Sequence, residues 1–398
     1  MIDIVVIFYT IAVIMFLSFI GEVVSRKALI PNVILLILLG ILCGPVLHLF
    51  EYDALVSMVP LVAPLTIAFI GFEAGLKMDF YEAIEQSRRA VILSVIGFVL
   101  TLVIVGLFLH YVCGLEWAYA FMLSSAWSGV NTATVNAVCN YLKLKEKTRT
   151  TLTISSLVDD AVVLVSTLII LNFILLGEIG FRESVLTLTS NFCISILIGV
   201  TLGLAWMNML YFFRKAKYTY TFTLAAILFV YSVTETLGGT GGIAVFLFGL
   251  ILGNSVSISS ALKLRLKKPE LSNLTQLIEN FHSELTFIIY SFFFTFIGLI
   301  YVFTGISELL FGLAIGFLLH AARLLAVKIG TVGSPLTSDF PAIGLIVGKG
   351  VASAAMSTLP LAYSLPNATF YTSIALNVIL FTNLISILLP LIFAKASS

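Results

Sequence analysis

Long apolar runs alternate with short polar stretches along almost the whole chain of 398 residues. A helix needs about 20 apolar residues to cross the hydrocarbon core of a bilayer, and the chain divides into about thirteen such segments. The pattern predicts an all-α polytopic membrane protein, with one transmembrane domain over 1–398 and no soluble domain. The expected spans are 3–22, 29–49, 54–76, 89–112, 117–141, 150–175, 186–212, 219–237, 241–257, 278–303, 306–327, 340–363 and 368–394.

The composition supports a lipid-solvated chain. Hydrophobic residues make up 60% and charged residues only 10%, whereas a soluble domain carries about 25% charged residues. The net charge of +1 gives no overall field to attract nucleic acid. The four cysteines show no CxxC spacing and are interpreted as core residues, not as a metal site or a disulfide framework. We expect no cofactor and no cleavable signal peptide, since the first apolar run lacks a basic n-region.

The basic residues predict an orientation. If the N-terminus lies outside, the inside loops hold 18 of the 21 lysines and arginines, and Arg182 is the one in an outside loop. Such an excess on one side is the positive-inside rule, so we expect a cell-membrane protein with a cytoplasmic C-terminus. The inside residues are Arg26, Lys27, Lys77, Arg88, Arg89, Lys143, Lys145, Lys147, Arg149, Arg214, Lys215, Lys217, Lys263, Arg265, Lys267, Lys268, Lys328 and Lys395.

Besides Glu73 near the end of its span, four charged residues fall inside apolar segments, where an ion costs at least a few kcal/mol. Asp159 and Asp160 are adjacent in "SSLVDDAVV", and Arg323 and Lys349 lie in two later segments. Neighbours on a helix point roughly 100° apart, so the natural interpretation is one acid facing a basic helix and the other facing a wet cavity. A structural salt bridge, with the basic residues as plain counter-ions, is the alternative. Hydrolysis by paired acids is excluded, because neighbours on one helix cannot flank one bond.

Two of the spans are unusually rich in small and polar residues. The fifth contains "SAWSGVNTATVNAVCN" and the twelfth contains "GLIVGKGVASAAMSTLP". Such residues are compatible with close helix packing, but they are also typical of the discontinuous helices that form a transporter's site. The two spans take the fifth position in each of two six-helix repeats, if 1–175 and 219–398 are inverted repeats joined by 176–218. This correspondence favours a transporter over a channel or a receptor.

Several stretches resemble the monovalent cation–proton antiporter superfamily. They are "LLGILCGP", "IAFIGFEAGLKMDF", "ETLGGTGGIAVFLFGLILGN", "FFFTFIGL" and "RLLAVKIGTVGS", and they occur in the family's order along the whole chain. The resemblance implies a sodium/proton antiporter fold of the 13-helix type, in which two discontinuous helices cross. It also implies a homodimer, with an ion-binding core at about 54–175 and 278–363 and a dimer domain formed by the remainder.

The resemblance also assigns residues. Asp160 matches the family's proton- and cation-binding aspartate, and Asp159 makes this a chain with two adjacent acids. Thr132 and Ala133, with their neighbour Asn131, match the crossing helix that supplies hydroxyl and backbone oxygens. These residues are therefore the candidate cation site, with Asp160, Asp159 and Thr132 as the candidate ligands of the metal ion.

Three further residues complete the candidate site. Ser156 lies one turn before Asp160 and could face the ion. Arg323 matches the family's intramembrane basic residue, and Lys349 stands where members often carry an arginine. Members with two aspartates more often have a lysine as the basic partner, and members with the arginine often have a glutamate where Thr153 stands here. The motif set is mixed, so the transport stoichiometry stays open.

The function implied is exchange of protons for a monovalent alkali cation, Na⁺ first and K⁺ or Li⁺ as alternatives. An alkali cation is a hard ion that prefers oxygen ligands, and one carboxylate can hold either that cation or a proton. If Asp159 is locked to Arg323, only Asp160 exchanges its proton, which favours one proton per cation. Rival functions are a sodium-coupled symporter and a cation channel, and we expect no enzyme.

Two acids near the predicted cytoplasmic side could line an ion funnel. Glu73 is four residues from Lys77, so an interfacial ion pair is the first interpretation and a funnel position the second. Glu284 lies with Glu279 and His282 near the start of the tenth span. These three could form an acidic funnel or a pH sensor, although a solvated helix end is the preferred interpretation.

Overall fold

The computed structural model describes residues 4–27, 32–78, 88–177, 181–213, 218–263, 268–303, 305–332 and 339–397. These residues are almost entirely helical and contain no strand. The helices are α1 (Ile4–Lys27), α2 (Asn32–Ile41, continued by a π-helical turn, Leu42–Val46), α3 (Tyr52–Lys77), α4 (Arg88–Tyr111), α5 (Trp117–Ala126), α6 (Thr132–Tyr141), α7 (Glu146–Leu176), α8 (Phe181–Phe212), α9 (Thr219–Thr236), α10 (Gly241–Gly253), α11 (Ser255–Ala261), α12 (Lys268–Leu299), α13 (Ile306–Gly330), α14 (Phe340–Gly344), α15 (Val351–Ser357), α16 (Leu359–Ala362) and α17 (Ala368–Ser397).

The described helices confirm a polytopic membrane protein. Seven of them (α3, α4, α7, α8, α12, α13 and α17) are long and apolar enough to cross a bilayer. The pair α10 and α11, bent by 75°, adds an eighth if it forms one span. The count of thirteen spans and the orientation of the termini stay predictions. Of the basic residues used for the orientation, Arg214, Lys215, Lys217, Arg265 and Lys267 lie outside the described residues.

Both predicted discontinuous helices are present. The fifth span consists of α5 and α6, which are separated by a non-helical stretch at 127–131. The Asn131 side chain begins α6, because its Oδ1 accepts a hydrogen bond from the Ala133 N–H at 3.0 Å. The twelfth span consists of α14, α15 and α16, and residues 345–350 between α14 and α15 are not helical. We call 127–131 the first break and 345–350 the second break.

Glycines let the backbones of α3 and α10 touch. A Cβ atom on Gly75 would lie 2.0 Å from the Phe246 carbonyl oxygen, and one on Gly249 would lie 2.4 Å from the Phe72 carbonyl oxygen. A similar approach joins α2 to α12, where a Cβ on Gly298 would lie 2.3 Å from the Ile37 carbonyl oxygen. Small residues at such interfaces permit the close packing that drives helix association in lipid. These contacts tie α3 to α10 and α12 to α2.

The contact at Gly75 predicts a loss of stability in the Gly75→Ala variant. The added methyl group has no room against backbone atoms, so we expect a net loss of ~1–3 kcal/mol despite alanine's better helix propensity. Gly97→Ala is the matched control, since a Cβ there meets only the Ala326 Cβ at 3.9 Å. Thermal unfolding in detergent micelles measures both variants. Equal melting temperatures for the two would contradict the close contact.

Candidate functional site

The two breaks cross and exchange hydrogen-bond partners. The Asn131 N–H donates to the Gly348 carbonyl oxygen at 2.9 Å, and the Lys349 Nζ donates to the Gly129 carbonyl oxygen at 2.7 Å. Backbone groups freed from helical hydrogen bonds must find other partners within the membrane, because an unsatisfied group there costs several kcal/mol. The breaks therefore stabilise each other, and they bring polar atoms of both halves of the chain to one place.

A cavity of about 210 Å³ lies beside this crossing. Its lining includes Asp160 from α7, Asn131 from the first break, Thr132 from the start of α6 and Gly350 from the second break. The other lining residues are Ile70, Glu73, Ala74, Lys77, Leu157, Thr286, Tyr290, Val351 and Ala352. The cavity thus combines a carboxylate, a hydroxyl and an amide oxygen, which are the donor types that an alkali cation prefers.

The two adjacent acids have different surroundings. Asp160 is half-buried and lines the cavity. Asp159 is only 5% exposed and is not among the residues that line the cavity. Two buried cations, Arg323 and Lys349, lie within electrostatic range of its carboxylate. The structure therefore brings the four intramembrane ions together, with one acid on the open side and the other acid beside both cations.

Asp159 is not locked to either cation in this conformation. Its Oδ2 atom and the Nε of Arg323 are both buried without a hydrogen-bond partner among the described residues. Within the same described ranges, no nitrogen of Arg323 or Lys349 lies within 4.0 Å of an Asp159 carboxylate oxygen. Longer-range attraction, not a formed ion pair, is therefore what balances Asp159 here.

Two hydroxyl groups adjoin Asp160. The Thr132 and Ser156 hydroxyl oxygens are 2.8 Å apart, and the Ser156 hydroxyl donates to the Thr153 carbonyl oxygen at 2.8 Å. Because each hydroxyl has one proton, Thr132 donates to Ser156 and keeps its own lone pairs free. Thr132 lines the cavity, whereas Ser156 and Ala133 do not. Ser156 therefore contacts the cavity indirectly, by accepting the hydrogen bond of the Thr132 hydroxyl. The Ala133 N–H donates to Asn131 Oδ1.

The two acids predicted as possible funnel residues, Glu73 and Glu284, have different positions. Glu73 forms an ion pair with Lys77, and both residues also line the cavity. The predicted ion pair is therefore present, and a place of Glu73 in an ion funnel stays a prediction. Glu284 is exposed and does not line the cavity. The structure thus gives no support to a funnel role for Glu284.

His282 corrects one expectation. It is fully buried and does not lie on a solvated helix end. Its Nε2 is 3.0 Å from the Phe69 carbonyl oxygen, and its Nδ1 is 3.2 Å from the Tyr220 hydroxyl oxygen. The carbonyl can only accept, so Nε2 carries the proton and Nδ1 accepts from Tyr220. His282 therefore joins α3, α9 and α12.

Sequence reasoning missed several residues of this region. Thr286 and Tyr290 line the cavity from α12, and Ser94 on α4 hydrogen-bonds to Ser155 one turn before Asp159. Asn383 on α17 donates to the Lys349 carbonyl oxygen at 3.1 Å. Each is a polar residue in an apolar span, which was the available signal. Polar residues of this kind are common in the chain, however, so the signal does not select these four.

Comparisons with known proteins show which proteins this chain is similar to. The K(+)/H(+) antiporter NhaP2 of Shewanella baltica (strain OS223) is 26% identical over 374 residues, which cover 91% of this chain and 61% of that protein. The low-affinity Na(+)/H(+) antiporter NhaS1 of Synechocystis sp. (strain ATCC 27184 / PCC 6803 / Kazusa) is 27% identical over 228 residues, which cover 56% and 42% respectively. The chain thus spans about three fifths of the length of the NhaP2 relative.

A solved structure and a family model extend the comparison. The sodium proton antiporter MjNhaP1 from Methanocaldococcus jannaschii has the same fold, with a TM-score of 0.75 and 22% identity, covering 98% of this chain and 96% of that one. The model of the family described as "Sodium/hydrogen exchanger, transmembrane" matches residues 12–395. Because this match covers nearly the whole chain, the protein belongs to the transmembrane sodium/hydrogen exchanger family.

Proposed function

We propose that this protein exchanges protons for a monovalent alkali cation, with Na⁺ as the first candidate, by alternating access. The observation that carries the proposal is the position of Asp160. This acid lines the cavity with Thr132 and Asn131 at the crossing of the two breaks. The relatives named above are described as K⁺/H⁺ or Na⁺/H⁺ antiporters, which supports the reaction and leaves the choice of cation open.

The proposed chemistry is competition for one carboxylate. Asp160 holds either a proton or a cation, and the Thr132 lone pairs and the Asn131 oxygen add neutral ligands. No cofactor takes part, since both ions are substrates. An empty, ionised site is costly to carry through the membrane interior, so the protein changes conformation mainly when Asp160 is loaded with one ion or the other. Obligatory loading couples the two fluxes.

The proposed movement separates two groups of helices. The predicted ion-binding core, 54–175 and 278–363 but without α3 and α12, rocks against the remainder of a homodimer. Within that range, α3 and α12 are tied to α10 and α2 through the glycine contacts at Gly75 and Gly298. We therefore place α3 and α12 with the static part, so that Glu73 and Thr286 form the fixed wall of the cavity. The cavity reaches the end of α3 that is predicted to be cytoplasmic.

Although no ion pair locks Asp159 to Arg323 in this conformation, the proposed stoichiometry is one proton per cation. Asp159 faces two buried cations, Arg323 and Lys349, and serves as their counter-ion throughout the cycle. Arg323 cannot release its proton, so it stays a fixed charge. Asp160 is then the one acid of the pair that exchanges, and transport carries no net charge.

A reconstituted assay tests the function. Proteoliposomes with an acidic interior are given Na⁺, K⁺ or Li⁺ outside, and an internal pH dye reports proton efflux. We expect Na⁺ to dissipate the pH gradient, at the same rate when an ionophore holds the voltage at zero. An exchange rate that depends on the membrane voltage would rule out the stoichiometry of one proton per cation. The proposed function fails if none of the three cations moves protons, and a cation flux that needs no proton gradient would indicate a channel.

A further inference from the structure

Helix α17 presents two buried polar residues to the second break. Asn383 Nδ2 donates to the Lys349 carbonyl oxygen at 3.1 Å and to the Ile379 carbonyl oxygen of its own helix at 2.8 Å. Ser386 Oγ accepts a hydrogen bond from the Val347 N–H at 3.1 Å. Residues three apart lie on one face of a helix. A single face of α17 therefore contacts the non-helical backbone.

The second break depends on partners outside its own helix, because its backbone has lost the helical pattern. The Gly348 carbonyl is satisfied by the Asn131 N–H from the first break. The Val347 N–H and the Lys349 carbonyl are satisfied by Ser386 and Asn383. Two of these three partners thus come from α17, an element that the sequence did not assign to the site.

The orientation of the Asn383 amide is fixed. Reversing it would place Oδ1 against two carbonyl oxygens, which cannot donate. Oδ1 instead lies against Gly348, on which a Cβ atom would be 2.9 Å from Asn383 Oδ1 and 2.6 Å from Thr134 Oγ1. Gly348 is consequently held between α6 and α17, with no room for a side chain.

We propose that Asn383 and Ser386 are positioning residues of ion exchange. They hold the backbone of Val347 and Lys349, so that the Lys349 ammonium donates its hydrogen bond to the Gly129 carbonyl oxygen. The arrangement of the first break, and hence the place of Thr132 next to Asp160, depends on this contact. The proposal rests on the proposed function, and it extends the ion site by one helix.

The test compares two asparagines of α17. Asn383→Ala removes the donor to the break, whereas Asn377→Ala removes the acceptor of the Tyr301 hydroxyl at 3.1 Å, away from the break. We expect Asn383→Ala to raise the cation concentration for half-maximal exchange about fivefold or more, the size expected for one lost hydrogen bond. Asn377→Ala is expected to change it by less than about twofold, even with a similar loss of stability.

Ser386 gives an independent variant if Asn383→Ala does not fold. Ser386→Ala is expected to raise the cation concentration for half-maximal exchange. Ser386→Thr keeps the hydroxyl acceptor, so its half-maximal concentration is expected to equal that of the unmodified protein. Amide hydrogen exchange should rise at residues 345–350 in Asn383→Ala and Ser386→Ala but not in Asn377→Ala. Equal effects of the two asparagine variants, or unchanged exchange at 345–350, would overturn the proposal. If the unmodified protein moves no cation, the proposed function fails, and amide exchange still decides the positioning claim.

Discussion

Replacing Asp160 by Asn is expected to abolish cation–proton exchange while leaving the protein folded. The amide keeps the shape of the carboxylate but has neither its negative charge nor its exchangeable proton. Two unit charges 4 Å apart attract by about 4 kcal/mol at an effective dielectric constant of 20, which corresponds to about a thousandfold in cation affinity. Proton efflux driven by Na⁺ in proteoliposomes should fall below detection.

Glu146→Gln is the matched control for this loss. It is the same chemical change on the same helix, and Glu146 is exposed at the start of α7. We expect its exchange rate to equal that of the unmodified protein and the melting temperature of Asp160→Asn to be unchanged or higher, because a half-buried charge is gone. Full ΔpH-driven exchange by Asp160→Asn would refute the central role of this acid.

Replacing Asp159 by Asn is expected to destabilise the protein strongly. Arg323 and Lys349 are 6% and 2% exposed, and the substitution removes the acid that balances both. Although no contact ion pair is formed, a buried charge that loses its counter-charge is strongly destabilising, and we expect a loss of about 3 kcal/mol. Thermal unfolding in detergent should show this loss, whereas Asp53→Asn at the exposed start of α3 should stay within about 1 kcal/mol of the unmodified protein.

A second substitution identifies which cation, Arg323 or Lys349, has its charge balanced mainly by Asp159. Lys349 can release its proton when it loses its acid, and Arg323 cannot. We therefore expect Arg323→Met to restore most of the stability lost in Asp159→Asn, and Lys349→Met to restore less, because it also removes the hydrogen bond to Gly129. A double-mutant cycle measures both couplings. If neither second substitution raised the melting temperature, the balance described for Asp159 would be wrong.

Much of the fold could be predicted from local pattern. Apolar runs of the required length gave the spans, and the clusters of glycine, serine and asparagine in two of them gave both breaks. The 100° angle between neighbours on a helix predicted that Asp159 and Asp160 would face different surroundings. In the structure one lines the cavity and the other faces two cations. Their roles in exchange stay predictions.

Other features depend on contacts between distant parts of the chain. Asn383 lies 34 positions from the carbonyl that it binds, and nothing in "FTNLIS" distinguishes it from Asn377 on the same helix. His282 has acidic neighbours in sequence, which favoured a solvated position, but its ring is packed against Phe69 and Phe72. The tie between α3 and α10 likewise needs the pairing of glycines that are far apart in the chain.

The bond from Lys349 to Gly129 has a consequence for biosynthesis. Its two ends are 220 positions apart, and a ribosome adds about 5–20 residues per second. During the roughly 10–45 s between the synthesis of the two ends, the Gly129 carbonyl enters the membrane before its partner exists. The Gly129 carbonyl oxygen therefore has to accept a hydrogen bond from the insertion machinery or from water until the second half of the protein has been synthesised. The ion site is among the last parts of the newborn chain to be completed.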